Sequence, residues 1–312
     1  MGNRCRLRTA ICHVNSRRCG YPGLCAHRVP HNTISMMIPD VCQAIIFEYG
    51  DEVIACPRTQ EEWRKVAKEF GTRWNFHHAL GAIDGKHIAI KAPKNSGSLY
   101  YNYKGFFSIV MLAVVDADYK FLWVDVGANG SASDTQVFTF CELKQAIDNS
   151  EMNFPSPEPL PHDNEDMPYF LVGDDAFALR TWMMKPFSKR NLSPDERIFN
   201  YRLSRSRRVV VNAFGILANR FQCLLTTMRQ KPEPVQIIAL ACCCLHNLMR
   251  IRYSGIQSAI LDQSDGNDNI IPGEWRNGAV MHDLGNNQRG NVASRAAQQQ
   301  RVSQGVLQLI RW

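Results

Sequence analysis

Apolar residues recur at helical spacing near the start of the chain, with Ile38, Val41, Cys42, Ile45 and Ile46 on one face of a helix predicted over 35–49. A second helical pattern covers 60–70. The period then changes. Segments 82–92, 108–116 and 121–127 read as strands, and only the short polar turn 117–120 separates the last two, which favours an antiparallel meander. Gly130-Ser131-Ala132-Ser133-Asp134 supplies N-cap chemistry for a helix over 135–147, with Val137, Phe138, Leu143 and Ile147 placed for burial. Five prolines from Pro155 to Pro168 mark a loop. The apolar run 169–173 follows and ends in Asp174-Asp175, a buried strand with acids at its carboxyl end. The most regular pattern is a long helix over 207–229, whose stripe Val210, Ala213, Phe214, Leu217, Phe221, Leu224 and Met228 would pack on a sheet. A further helix over 235–252 is apolar around most of its circumference and should be buried. Beyond residue 254 the chain is rich in Asn, Gln and Gly, which predicts a mobile tail with at most one last helix over 292–310.

Composition places the chain among ordinary globular proteins: 312 residues, 45% hydrophobic, enough for one large domain or two smaller ones. The formal charge of +7 matters less than its distribution. Between Arg180 and Arg252 fourteen Lys or Arg face three acids (Asp195, Glu196, Glu233), whereas 148–168 holds six acids and no Lys or Arg. The later segment is therefore expected to face a polyanion. No stretch approaches the roughly 20 consecutive apolar residues of a membrane span, and residues 1–30 are too charged for a secretory signal, so an intracellular protein without membrane contact is expected. Residues 1–39 carry several Arg and no acid, which suits a basic arm or a presequence. Cys42, Cys56, Cys141, Cys223 and Cys242 to Cys244 sit in apolar patterns and should be free thiols. Cys5, Cys12, Cys19 and Cys25 lack the close pairing of structural zinc sites.

The candidate chemistry lies in two carboxylates. Asp84 and Asp174 each follow a strand-like apolar segment, and chemistry in open α/β sheets gathers at the carboxyl ends of strands. If those strands are neighbours, the two acids converge on a divalent ion, and oxygen ligands favour Mg²⁺ or Mn²⁺. Phosphodiester hydrolysis uses such ions in pairs, about 4 Å apart.

Several blocks in fixed order strengthen this reading. They are Gly81-Ala82-Ile83-Asp84-Gly85-Lys86-His87, Tyr100-Tyr101-Asn102-Tyr103-Lys104-Gly105-Phe106-Phe107-Ser108, Gly130-Ser131-Ala132-Ser133-Asp134, Gly173-Asp174-Asp175-Ala176-Phe177, Phe199-Asn200-Tyr201-Arg202-Leu203-Ser204, Val211-Asn212-Ala213-Phe214-Gly215 and Leu245-His246-Asn247-Leu248. In this order the chain resembles the transposases of PIF/Harbinger elements and their domesticated nuclease-like relatives, over about residues 31–255. The resemblance implies an α/β fold, an RNase H-like mixed sheet flanked by helices, with a helical N-terminal prelude and a mobile C-terminal tail. The divisions would be a basic Cys-rich arm over 1–30, the prelude over 31–78, the nuclease domain over 79–253 and the tail over 254–312.

The resemblance also implies a triad of acids binding two divalent ions to cut DNA. Asp84 matches the first acid and Asp174 the second. The third belongs just before Asn212-Ala213-Phe214-Gly215, where this chain has Val211. On a helical wheel Val211 shares a face with Gly215 and Ala218, small residues expected to let the helix approach the sheet. Losing that ligand weakens the second ion position. Two functions therefore stand side by side: metal-dependent DNA hydrolysis on Asp84 and Asp174, or a non-catalytic DNA-binding or chromatin-associated scaffold. Lys86, Lys104, Arg202, Arg205, Arg207 and Arg208 are the candidate DNA contacts, with the four Arg expected beside the acids. Relatives of this kind imply a nuclear protein, also found in the cytoplasm, working with a separate Myb/SANT-like DNA-binding partner.

Overall fold

In a computed structural model, the chain is described over residues 31–161, 163–253, 262–264, 270–277, 280–284 and 293–307. The basic arm expected over 1–30 and its cysteines lie outside these residues.

Two helices come first: α1 (His31–Val53) and α2 (Gln60–Trp74). Thr59 caps α2 through a capping box with Glu62, which satisfies backbone donors that a helix start otherwise leaves open. Then follow β1 (Ala79–Ala89), β2 (Ser108–Val115) and β3 (Phe121–Asn129). They pair antiparallel in sequence order, the expected meander. The helix predicted over 135–147 is two, α3 (Asp134–Phe140) and α4 (Glu142–Asp148), because Cys141 takes an extended conformation between them. The N-cap of α3 is Ser133, whose side chain accepts from Gln136 N. After the short pair β4 (Glu158–Pro159) and β5 (Asp166–Met167), β6 (Phe170–Val172) lies parallel to β1, and β7 (Met183–Met184) lies parallel to β6. The sheet order is β3-β2-β1-β6-β7, a mixed sheet with β1 at its centre.

The long helix α5 runs Pro194–Arg220, starting earlier and ending earlier than its apolar stripe suggested. Ser193, Pro194 and Glu196 form its start: a capping box with proline in the first turn. Phe199, Leu203 and Ser206 extend the buried stripe toward the N-terminus, hidden in the sequence among charged neighbours. Beyond Arg220 the stripe continues without a helix. Leu224 stands on a 3-10 turn, and Met228 N donates to Ala89 O, so both side chains still reach the core. Helix α6 (Pro232–Arg252) packs on α1 and β3. By length and composition alone it could cross a membrane, but here most of it is enclosed by protein.

Alternation along β2 sorts the core into two layers. Ile109, Met111, Ala113 and Val115 face the layer of α5 and α6, while Val110, Leu112 and Val114 face α2, α3 and α4. Both faces of β1 and β2 are covered, which is why these strands read as near-continuous apolar runs. Asn247 braces the layers: Oδ1 accepts from Phe121 N, and Nδ2 donates to the carbonyls of Val53 and Phe121.

The segment expected to be a mobile tail contributes packed pieces among the described residues. These are β8 (Gln263–Ser264) paired with β9 (Ile270–Ile271), a 3-10 turn Glu274–Asn277, β10 (His282–Asp283) and α7 (Arg295–Leu307). Trp275, Met281, Leu284 and Ala297 give this polar stretch its buried apolar anchors. Strand β10 pairs antiparallel with β1, Lys86 opposite Asp283, on the edge that β6 leaves uncovered past Ala82.

Candidate functional site

Register brings the two acids together. Ala82 pairs with Val172 across the parallel β1–β6 ladder, and Asp84 and Asp174 each lie two residues farther on. Neighbouring strands are about 4.8 Å apart, so equal offsets place both carboxylates side by side. Residues 82, 84, 86 and 88 share one face of β1, the face toward α5, and both acids are buried. Asp174 is held above the ordinary carboxylate range first by burial and then by Asp84, against the Ala176 N–H and Arg207, which favour its charged form.

The α5 position at which the resemblance implied a third acid holds Val211. Val211 is half-buried and packs into the core layer. The close approach to the sheet expected of Gly215 takes another form: a Cβ there would come within 2.2 Å of Trp275, so the glycine makes room for the indole and not for the sheet.

Lys86 occupies the centre of the site, where a phosphate contact had been expected. Its Nζ donates to Asp84 Oδ2 at 2.8 Å and to Asp283 Oδ1, and lies over the Phe214 ring, 5.6 Å from the centroid. Burial works against this ammonium, yet Asp84 and Asp283 outweigh it and hold Lys86 above the usual lysine value. Asp283 was not anticipated. Its only sequence signal is Met281 and Leu284, an apolar interruption in a polar tail that anchors the strand carrying it.

On the opposite face of β1, where His87 pairs with His282, lies an aromatic rim. Asn102 Oδ1 accepts from Lys104 N and Phe106 N and so shapes the 100–107 loop, and Asn102 Nδ2 donates to Ser108 Oγ. The buried His87 ring, with Nδ1 3.0 Å from Ser108 Oγ, is pushed down to about 4 by burial and then by Lys104 and His282, and so is neutral at pH 7. Phe106 stacks at a tilt on His282, and Tyr103 Oη donates to Asp283 O. Lys104 is exposed on this rim.

The four arginines do not form one cluster. Arg207 lies near Asp174 and Asp283, one turn before Val211. Arg202 and Arg205 line a cavity against the end of α2. Arg208 stands near Asp262 and Arg276. Sequence proximity suggested one surface, but consecutive turns of a helix distribute these positions around its axis. Asp175, beside Asp174, ion-pairs with Lys185 at 3.3 Å.

Asp84 proves to lie within β1 and not at its end, just past the point where the parallel pairing with β6 stops, and Asp174 lies just past the end of β6. Two buried carboxylates on these neighbouring strands fit one divalent ion with oxygen ligands, since their mutual repulsion is what a cation relieves. They do not fit a second ion. Val211 offers no donor, and among the described residues no three His, Cys, Asp or Glu side chains stand close enough to hold one.

The family profile described as "DDE superfamily endonuclease" matches residues 83–247. "Putative nuclease HARBI1" of Homo sapiens is 30% identical over 219 residues, covering 69% of this chain and 58% of the relative. The Xenopus laevis protein of the same name is 28% identical over the same length, with the same coverage of both chains. "Protein ALP1-like" of Arabidopsis thaliana is 28% identical over 189 residues, 59% of this chain and 46% of the relative. The chain thus spans less than two thirds of the length of these relatives. No solved structure matches it significantly.

Proposed function

The chain belongs to the DDE superfamily endonuclease family, and we propose that it is a transposase-derived nuclease-like protein that binds DNA at the Asp84–Asp174 face but has lost efficient phosphodiester hydrolysis. The observation that carries this reading is the pairing of Val211 at the helix position with Lys86 between Asp84 and Asp283. Hydrolysis of this kind uses two ions, one activating the nucleophile and one stabilising the leaving oxygen. Asp84 and Asp174 suit one Mg²⁺ or Mn²⁺, which would supply positive charge for a DNA phosphate.

The remaining steps belong to the chain's own groups. Lys86 neutralises Asp84, Arg207 favours the charged form of Asp174, and Lys104 on the aromatic rim offers a phosphate contact. The strand order, an antiparallel meander followed by two strands parallel to β1, supports an RNase H-like reading of the domain. Nuclear location, with the cytoplasm as a second site, and a separate Myb/SANT-like DNA-binding partner extend the same reading.

The test is Mn²⁺-dependent nicking of supercoiled plasmid by wild type, Val211→Glu and Asp84→Ala. Wild type should retain plasmid in a gel shift without nicking it, and Val211→Glu should restore nicking. Nicking by wild type that disappears in Asp84→Ala would show that two acids suffice, and would overturn the loss of hydrolysis.

A further inference from the structure

Between the C-terminal end of α2 and the first turns of α5 lies an open cavity of about 500 Å³. Its walls include Trp74, Tyr201, Arg197, Arg202 and Arg205, and among the described residues no carboxylate lines it. Trp74 is fixed from behind: Nε1 donates to Ala117 O, and its ring meets Tyr119 edge to face. Tyr201, Arg202 and Arg205 each have a further interaction within the protein. Arg202 is buried, whereas Arg197 and Tyr201 are exposed at the mouth.

The chemistry of this wall is specific. Three guanidinium groups around one concavity create a focused positive potential, and their planar forks match phosphate oxygens. Aromatic side chains beside them provide faces on which a base can stack. The volume lies within the usual range of small-ligand sites, roughly 300–1,000 Å³. At about 100° per residue, Arg202 and Arg205 sit roughly 120–180° around α5 from Arg207 and Val211. This cavity therefore opens away from the acid pair and is a separate site.

We propose that this cavity binds a nucleotide unit, with a phosphate on Arg197, Arg202 and Arg205 and the base against Trp74 or Tyr201. Its source is either an unpaired stretch of DNA or a free nucleotide. In the first case it deepens the DNA-binding reading by assigning single-stranded DNA to a surface apart from the acids, and to that extent rests on it.

Fluorescence anisotropy with a labelled twelve-residue thymidine oligonucleotide, the full chain and competing thymidine monophosphate tests it. Arg197→Glu/Arg205→Glu should weaken binding of the strand at least tenfold. Tyr201→Ala should weaken it about five- to a hundredfold, as loss of one base stack does, while binding of inorganic phosphate changes less than threefold. Competition by the monophosphate at micromolar concentration would identify free nucleotide as a ligand, and competition by unlabelled strand alone would identify DNA. Strand binding equal in wild type and all variants would overturn the proposal. Duplex retention is measured in parallel. Its presence beside variant-insensitive strand binding removes only this cavity. Its absence, with pocket-dependent monophosphate binding intact, removes only the DNA reading.

Discussion

Lys86→Met tests whether the ammonium is what makes the buried acid pair tolerable. Methionine keeps an unbranched stem and removes the charge between Asp84 and Asp283. Asp84 and Lys86 are both almost fully enclosed, and removing one partner of such a pair costs about 3–5 kcal/mol, chiefly because the other charge is left uncompensated. Against a typical stability of ~5–15 kcal/mol this is a large fraction. The sign of the pH dependence follows from Asp174. Its folded-state pKa is raised, so its contribution is fully present below the unfolded value and is lost as pH rises through the folded one. Without Lys86, no cation beside Asp84 offsets its repulsion of Asp174, the second cause of that shift. The gap between variant and wild type should therefore be wider at pH 8 than at pH 5. A divalent ion at a hundredfold excess over its dissociation constant should return about 2.7 kcal/mol to the variant. Urea unfolding followed by tryptophan fluorescence, at pH 5 and 8 with and without Mn²⁺, measures all three. A loss below ~1 kcal/mol at pH 8, equal at both pH values, would refute the electrostatic argument.

Two further substitutions probe the framework. Asn247→Ala removes three buried hydrogen bonds and leaves Phe121 N–H without its acceptor, at a cost of ~3 kcal/mol, or roughly 10 °C in melting temperature; a fall under about 2 °C would mean the brace carries little. Gly215→Ala places a methyl where the Trp275 ring lies and should cost ~1–3 kcal/mol. It should also red-shift emission, an effect absent in a Trp275→Phe background; unchanged emission would show that the indole does not sit on α5.

Much of the site could be read before the fold was known. Asp84 and Asp174 each stood beside an apolar strand-like run, although Asp84 proved to lie within β1 and not at its end, and the resemblance set Val211 where a third acid was expected. The start of α5 was missed: Ser193-Pro194 and Glu196 signal it, but the charged first turns masked the apolar stripe and the helix was expected only from 207. The short strand β7 offered too few residues to show any period. Leu245-His246-Asn247-Leu248 was recognisable as a motif, yet its work proved structural: His246 Nε2 is 2.8 Å from Tyr119 O, and Asn247 joins three elements.

What the sequence by itself determined is whatever depends on near neighbours: the meander, the capping boxes of α2, α3 and α5, and the apolar runs that carry each acid. These follow from periodicity and local hydrogen bonding, which act over a few residues. Only the tertiary structure decided which charges meet. Lys86 finds Asp283 across 197 positions of chain, Trp275 closes on Gly215, and α5 sends Arg202 and Arg205 to one side and Arg207 to the other. Buried polar contacts carry no periodic signal, because each is fixed by where the backbone brings two distant groups within hydrogen-bonding reach.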